Sequence, residues 1–304
     1  MSFTETIKRH YREGSLLMRL IYINVAIFLL ARVLMLVGFV TGLPFGEWIT
    51  MWLAVPSKWS LFGFRAWTAL TYQFLHIDLW HIFFNMLWLY WLGRIFLEFF
   101  NPKQMTALYI LGGIAGALLY VACYTLLPGL QSPHSYPLLG ASASIMAIVI
   151  GVAVYYPDYQ LGLFLIGRVS LKWIAVVVVI IDLLSIGDMA TNAGGHLAHL
   201  GGALTGLAWG LSMKRGHDFT SWFNRLIDGV VALFSRHRHE AKVKKSKANS
   251  YNYRSATRNE STSSTSQREA RLDAVLDKIK RSGYSALTEE EKSLLFSFSR
   301  DKKQ

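Results

Sequence analysis

MTALYILGGIAGALLYVACYTLL, residues 105–127, carries no charged side chain from end to end. A hydrocarbon core about 30 Å thick needs about 20 apolar residues of helix to cross it, so this run is long enough to span a membrane. Working outward, similar blocks flank it near Leu79–Phe99 and Leu138–Tyr156, and beyond those near Leu17–Val40, Trp173–Ile186 with its flanks, and Gly195–Met213. The strict apolar run of the fifth block is short and is interrupted by Asp182, so it is expected to borrow residues from Leu163 to Leu171. Six such blocks predict an all-α, polytopic membrane protein.

Composition agrees with the blocks. Hydrophobic residues make up 53% of the 304 and charged ones only 16%, with a mean hydropathy of +0.31; a soluble core of this size is also conceivable from averages, but not from runs of this length. The single cysteine, Cys123, sits inside an apolar run, which excludes a disulfide framework and a thiolate metal site. The formal charge of +12 lies largely in flanking segments and in the tail after Met213. It reads as membrane topology and attraction to lipid head groups, not as nucleic-acid binding.

The polar segment MSFTETIKRHYREG leads into an apolar run with no small-residue cleavage site, so it is not read as a removable signal peptide. Lys8, Arg9, Arg12 and Arg19 precede the first span; Lys103, Arg168 and Lys172 lie in loops on that same side, and Lys214 and Arg215 follow the last span. The positive-inside rule then places both termini in the cytoplasm, and a bacterial plasma membrane is expected. Residues 1–16 are a cytoplasmic N-terminus and residues 17–213 the six-span body. Between the first two spans, Trp48, Trp52, Trp59 and Trp67, with Pro44 and Pro56, predict a loop in the membrane interface or an aromatic belt. Phe219, Trp222, Phe223, Leu226, Ile227, Val230 and Phe234 recur at helical spacing, which makes residues 214–236 an amphipathic helix on the inner surface. A basic, Ser/Thr-rich stretch, residues 237–267, is a disordered linker by composition. Residues 268–304 regain helical periodicity as a small helical pair, with a capping box from Thr288 to Glu291.

Ionisable and strongly polar side chains are costly inside a bilayer, and each is a functional candidate by default. His81 and Asn85 stand one turn apart on the second span, with His76 just before them; Ser142 and Ser144 open the fourth, and His196 and His199 the sixth. The three spans begin on the same, outer side, so these groups fall at one depth. A serine needs a neighbouring base, and histidine is the only neutral-pH base at that depth. Asp78 is the only nearby carboxylate and lies in a loop, so no third member of a triad is apparent. Small residues around Ser142 and His199, among them Gly140, Gly202 and Gly206, let the helices approach closely.

HIDLWHIFFN (His76–Asn85), GASA (Gly140–Ala143) and AHLGGALTG (Ala198–Gly206) together resemble the signature elements of the rhomboid intramembrane proteases, in the family's order. The resemblance implies a six-transmembrane-helix bundle with a cytoplasmic helical tail. It implies a serine endopeptidase with Ser142 as nucleophile, His199 as base and acid, and His81 and Asn85 as oxyanion stabilisers, His76 and the glycines giving structural support. Substrates would be transmembrane segments of other membrane proteins, cut near the outer face, with membrane lipids around the enzyme and no cofactor or metal. His196 is expected to face the pore mouth or a loop. This sequence departs from the family pattern at Ala143, where a glycine is usual and a methyl would crowd the oxyanion pocket. It departs also at Met146, in place of an aromatic, and at Trp67–Thr68, in place of a tryptophan–arginine pair.

Two other readings remain open at this point. One is a zinc site formed by His76, His81, His196 and His199. The other is non-catalytic: a rhomboid-like protein that binds membrane clients, or a small transporter lined by the same groups.

Overall fold

The computed structural model of the chain describes residues 15–163, 167–186, 192–229, 231–232, 274–275, 277–279 and 287–293. The chain divides into two units, Met1–Val231 and Ala232–Gln304. The first opens with α1 (Leu16–Thr41), capped by the Ser15 side chain, and continues through short helices α2 (Phe45–Leu53), α3 (Trp59–Phe64) and α4 (Thr68–Thr71). Then come α5 (Leu79–Phe99), α6 (Pro102–Leu126), α7 (Ser142–Tyr155), α8 (Leu171–Ser185) and α9 (Ala193–Lys214). By length and composition α1, α5 and α6 can each cross a membrane, and α7 is a shorter apolar helix. Six helices thus follow the six apolar blocks, and the chain is an all-α polytopic membrane protein.

α7 is the axis of the bundle. Every side chain from Ala143 to Ala153 is buried, and α5, α6, α8 and α9 pack around it. A helix apolar on all sides has to lie inside a bundle or a bilayer, and this one lies inside the bundle. α1 instead leaves Leu29, Leu30, Val33 and Phe39 exposed, as a lipid-facing helix would.

Two boundaries differ from the sequence reading. The fourth helix starts at Ser142 and not at Leu138, because Pro137 and Leu138 (β2) pair antiparallel with Val55 and Pro56 (β1). Of the described residues in 163–171, the fifth takes in Leu171 alone. Gln160–Leu163 (β3) and Gly167–Ser170 (β4) form a hairpin instead, with Gly167 at φ +86°, so α8 begins only at Leu171.

After α9 the chain is helical again over residues 221–229, with Trp222, Leu226 and Ile227 exposed; Val230 and Phe234 lie outside the described residues. Asp218 joins this segment to the bundle. It accepts from Thr220 N–H, Trp209 Nε1–H at 3.2 Å and Gln104 Nε2–H at 2.9 Å. Burial pushes its carboxyl up, but the bonds from Thr220, Gln104 and Trp209 outweigh that and hold it below the usual carboxylate range. A depressed folded-state value means stability that is present above the ordinary carboxylate value and is lost as pH falls through the folded one. We therefore expect the thermal midpoint to drop on acidification below the ordinary carboxylate range, and D218N to remove part of that drop. An unchanged acid dependence in D218N would refute this account.

Within the second unit Thr288 and Glu291 form the expected capping box: Thr288 N–H donates to Glu291 Oε2 at 2.8 Å, and Glu291 N–H to Thr288 Oγ1 at 3.3 Å. Lys278 also reaches the Glu291 carboxylate. Residues 1–14 and the linker 237–267 lie outside the described residues.

Candidate active site

The beginnings of α5, α7 and α9 open onto one cavity of about 380 Å³, whose wall includes Ser142, His199, His81 and Asn85. Each group has a local reason for its position. The Asp78 carboxylate accepts from the His81 N–H at 2.7 Å and caps α5, which fixes where the helix starts and sets His81 and Asn85 above one another on a single face. Asp78 is therefore a cap. Gly140 holds φ +115°, a region L side chains rarely adopt, and a methyl group there would stand 2.6 Å from the His81 ring. The chain turns tightly past the imidazole and delivers Ser142 as the first residue of α7, where backbone N–H groups have no intrahelical partner.

His76 is fully buried, with its Nε2 3.1 Å from Asn85 Nδ2 and 3.3 Å from the Ala141 N–H. It links α5 to the residue before Ser142. An amide nitrogen has two N–H groups, so Asn85 keeps one for the cavity. Ser144 is bound elsewhere, its hydroxyl donating to Gln73 Oε1 at 3.1 Å in a fully buried position.

α7 and α9 meet backbone to backbone. A Cβ on Gly202 would lie 2.0 Å from the Ala143 carbonyl oxygen, and one on Gly206 2.4 Å from that of Ala147. That contact sets Ser142 and His199 across the cavity from each other; no hydrogen bond joins them directly. The Ala143 methyl has room where Gly116 of α6 faces it: a Cβ built on Gly116 would come within 2.7 Å of it.

Sequence reasoning missed Asp182. This α8 residue is 3% exposed, and its Oδ1 lies 2.9 Å from His199 Nδ1 and 2.7 Å from His196 Nδ1. A carboxylate therefore does stand beside the histidine, and it is Asp182, not Asp78. His196 does not face a pore mouth: it shares this buried carboxylate. The four histidines do not form one ligand set either, since the group whose ligand atoms gather is Asp182, His196 and His199, while His76 pairs with Asn85. Asn192 also lines the cavity, at φ +65°, its side chain accepting from Gly195 N–H to cap α9.

Comparison with known proteins bears on the whole bundle. The chain is similar to RHOMBOID-like protein 12, mitochondrial, of Arabidopsis thaliana, 30% identical over 155 residues that cover 48% of this chain and 46% of that protein. It is 29% identical to presenilin-associated rhomboid-like protein A, mitochondrial, of Danio rerio, over 44% of this chain and 34% of that one. It is 26% identical to the rhomboid protease GlpG of Klebsiella pneumoniae, over 54% and 53%. The chain thus spans about a third to a half of the length of these relatives. The apolar helices indicate an integral membrane protein, and with the first two of these relatives named as mitochondrial the bacterial plasma membrane expected from sequence is not supported. A family of unknown function matches residues 262–301. The Rhomboid domain model matches residues 63–216, about half of the chain and all of α5 to α9, and on that match the chain belongs to the rhomboid family.

Proposed function

We propose that the chain is an intramembrane serine endopeptidase that cuts transmembrane segments of other membrane proteins. The observation that carries this reading is one cavity walled by a serine hydroxyl, an imidazole and a set of N–H donors. In this reading the Ser142 Oγ attacks the scissile carbonyl while His199 takes its proton. The oxyanion is held by His81, by Asn85 and by backbone N–H at the start of α7. His199 then gives the proton to the leaving amine, and water hydrolyses the acyl-enzyme by the same route reversed. His76, Gly140, Gly202 and Gly206 hold these groups in place.

Substrate would enter from the lipid, unwind locally and be cut near the outer face, because a peptide bond in an intact helix is shielded and hydrolysis needs water. Both termini would be cytoplasmic, with residues 17–213 as the protease domain and residues 214–236 on the inner surface. Residues 237–267 would be a linker, and residues 268–304 a docking or regulatory appendage.

The test is cleavage of a fluorescent transmembrane substrate in liposomes, together with labelling by a fluorophosphonate, for wild type and S142A, with and without a strong chelator. Wild type is expected to cleave and to be labelled, S142A to do neither, and the chelator to change nothing. Chelator-sensitive cleavage surviving in S142A would replace this reading with a metal enzyme. Folded wild type that neither cleaves nor labels would favour client binding.

A further inference from the structure

We infer that Asp182 is a positioning residue for His199, so that the site works as a serine–histidine–aspartate relay spread over α7, α9 and α8. The inference rests on the serine-protease reading above. Its basis is geometric: a carboxylate with 4% side-chain exposure lies within hydrogen-bond distance of the ring nitrogen of His199.

The tautomer gives this contact its meaning. A neutral imidazole has one N–H and one lone pair, and a carboxylate can only accept. Asp182 therefore selects the form of His199 with the proton on Nδ1, leaving the Nε2 lone pair free for the Ser142 proton. Once His199 takes that proton, the imidazolium lies beside a buried negative charge and is stabilised by it. An unaided imidazole would divide between two tautomers and several ring orientations.

A metal ion is the other chemistry two histidines and a carboxylate suggest. At 2.7 and 2.9 Å, Oδ1 is in direct hydrogen-bonding contact with both Nδ1 atoms, so the carboxylate accounts for an N–H on each ring without an ion. Asp182 Oδ2 is buried and bonded to no described residue, so Oδ1 alone serves both rings. His196 shares the acceptor without lining the cavity. The contact between Asp182 and His199 is made independently of it.

The experiment compares full-length wild type, S142A, D182N and H196A in liposomes, by kcat and KM for a transmembrane substrate and by the rate of fluorophosphonate labelling. D182N is expected to lower kcat and the labelling rate on the order of 10²- to 10⁴-fold, with KM little changed. H196A is expected to stay within a small factor of wild type. Wild-type rates in D182N, or equal losses in D182N and H196A, would overturn the positioning role and leave the serine reading standing. A wild type that fails to label and cleave, or an S142A that still cleaves, would overturn both. Should D182N not melt cooperatively, ¹⁵N NMR of histidine-labelled wild type decides instead. A proton on His199 Nδ1 is expected, and one on Nε2 would overturn the inference.

Discussion

H199A is expected to lower kcat for a transmembrane substrate on the order of 10⁴- to 10⁶-fold, with KM changing little. Serine at neutral pH is a weak nucleophile, and the cavity wall offers no second ring in the same position: His76 is fully buried and engaged with Asn85 and Ala141, and His196 faces Asp182. His81 also lines the cavity, but it packs against the Gly140 turn, and in the proposed mechanism it serves the oxyanion. Removing His199 therefore removes the base and leaves the donors. In the proposed mechanism substrate binding depends on the cavity wall and on lipid-facing helices, which a small side chain at position 199 leaves intact. An H199A variant that retains more than a hundredth of wild-type kcat would contradict base catalysis by His199.

The long, apolar part of the fold was legible because crossing a bilayer imposes a length and an absence of charge. Leu79–Phe99 emerged with the same bounds in sequence and structure, and α1 and α6 within a few residues. Boundaries set by tertiary pairing were not legible. Nothing local in Pro137–Leu138 announces that Val55–Pro56 will pair with it and delay the start of α7. The β3–β4 hairpin was hidden by apolar residues that suit a short strand as well as a helix end.

The candidate site divides in the same way. His81, Asn85, Ser142 and His199 share a cavity because they sit near the beginnings of helices that all start on one side, a regularity readable from topology alone. Asp182 sits on the neighbouring helix, which runs the other way, at 17 positions from His199. Its sequence signal was that of a carboxylate in an apolar run, which marks a functional candidate but names no partner. The rotation of α8 about its axis decides which side chain Asp182 meets, and periodicity does not encode that when the run is apolar on nearly every face.

G202A is expected to reduce kcat about 100-fold, the cost of a displacement near 1 Å at a reacting pair, and to lower the thermal midpoint as well. A single added methyl is small, but its ideal position lies 2.0 Å from the Ala143 carbonyl oxygen and 2.8 Å from its carbonyl carbon. Backbone cannot rotate away as a side chain can, so α7 and α9 must separate, at a cost on the order of 1–3 kcal/mol for overpacking a tight core. Ala143 follows Ser142 directly, and Gly202 lies three residues after His199, so the helices part beside the proposed serine–histidine pair. Gly63 supplies the control. It lies in α3, and a methyl there meets nothing within 4 Å, so G63A should leave kcat unchanged and stabilise slightly through helix propensity. A G202A variant with wild-type kcat and melting would mean that α7 and α9 separate without cost, and that their close approach does not bring serine and histidine together.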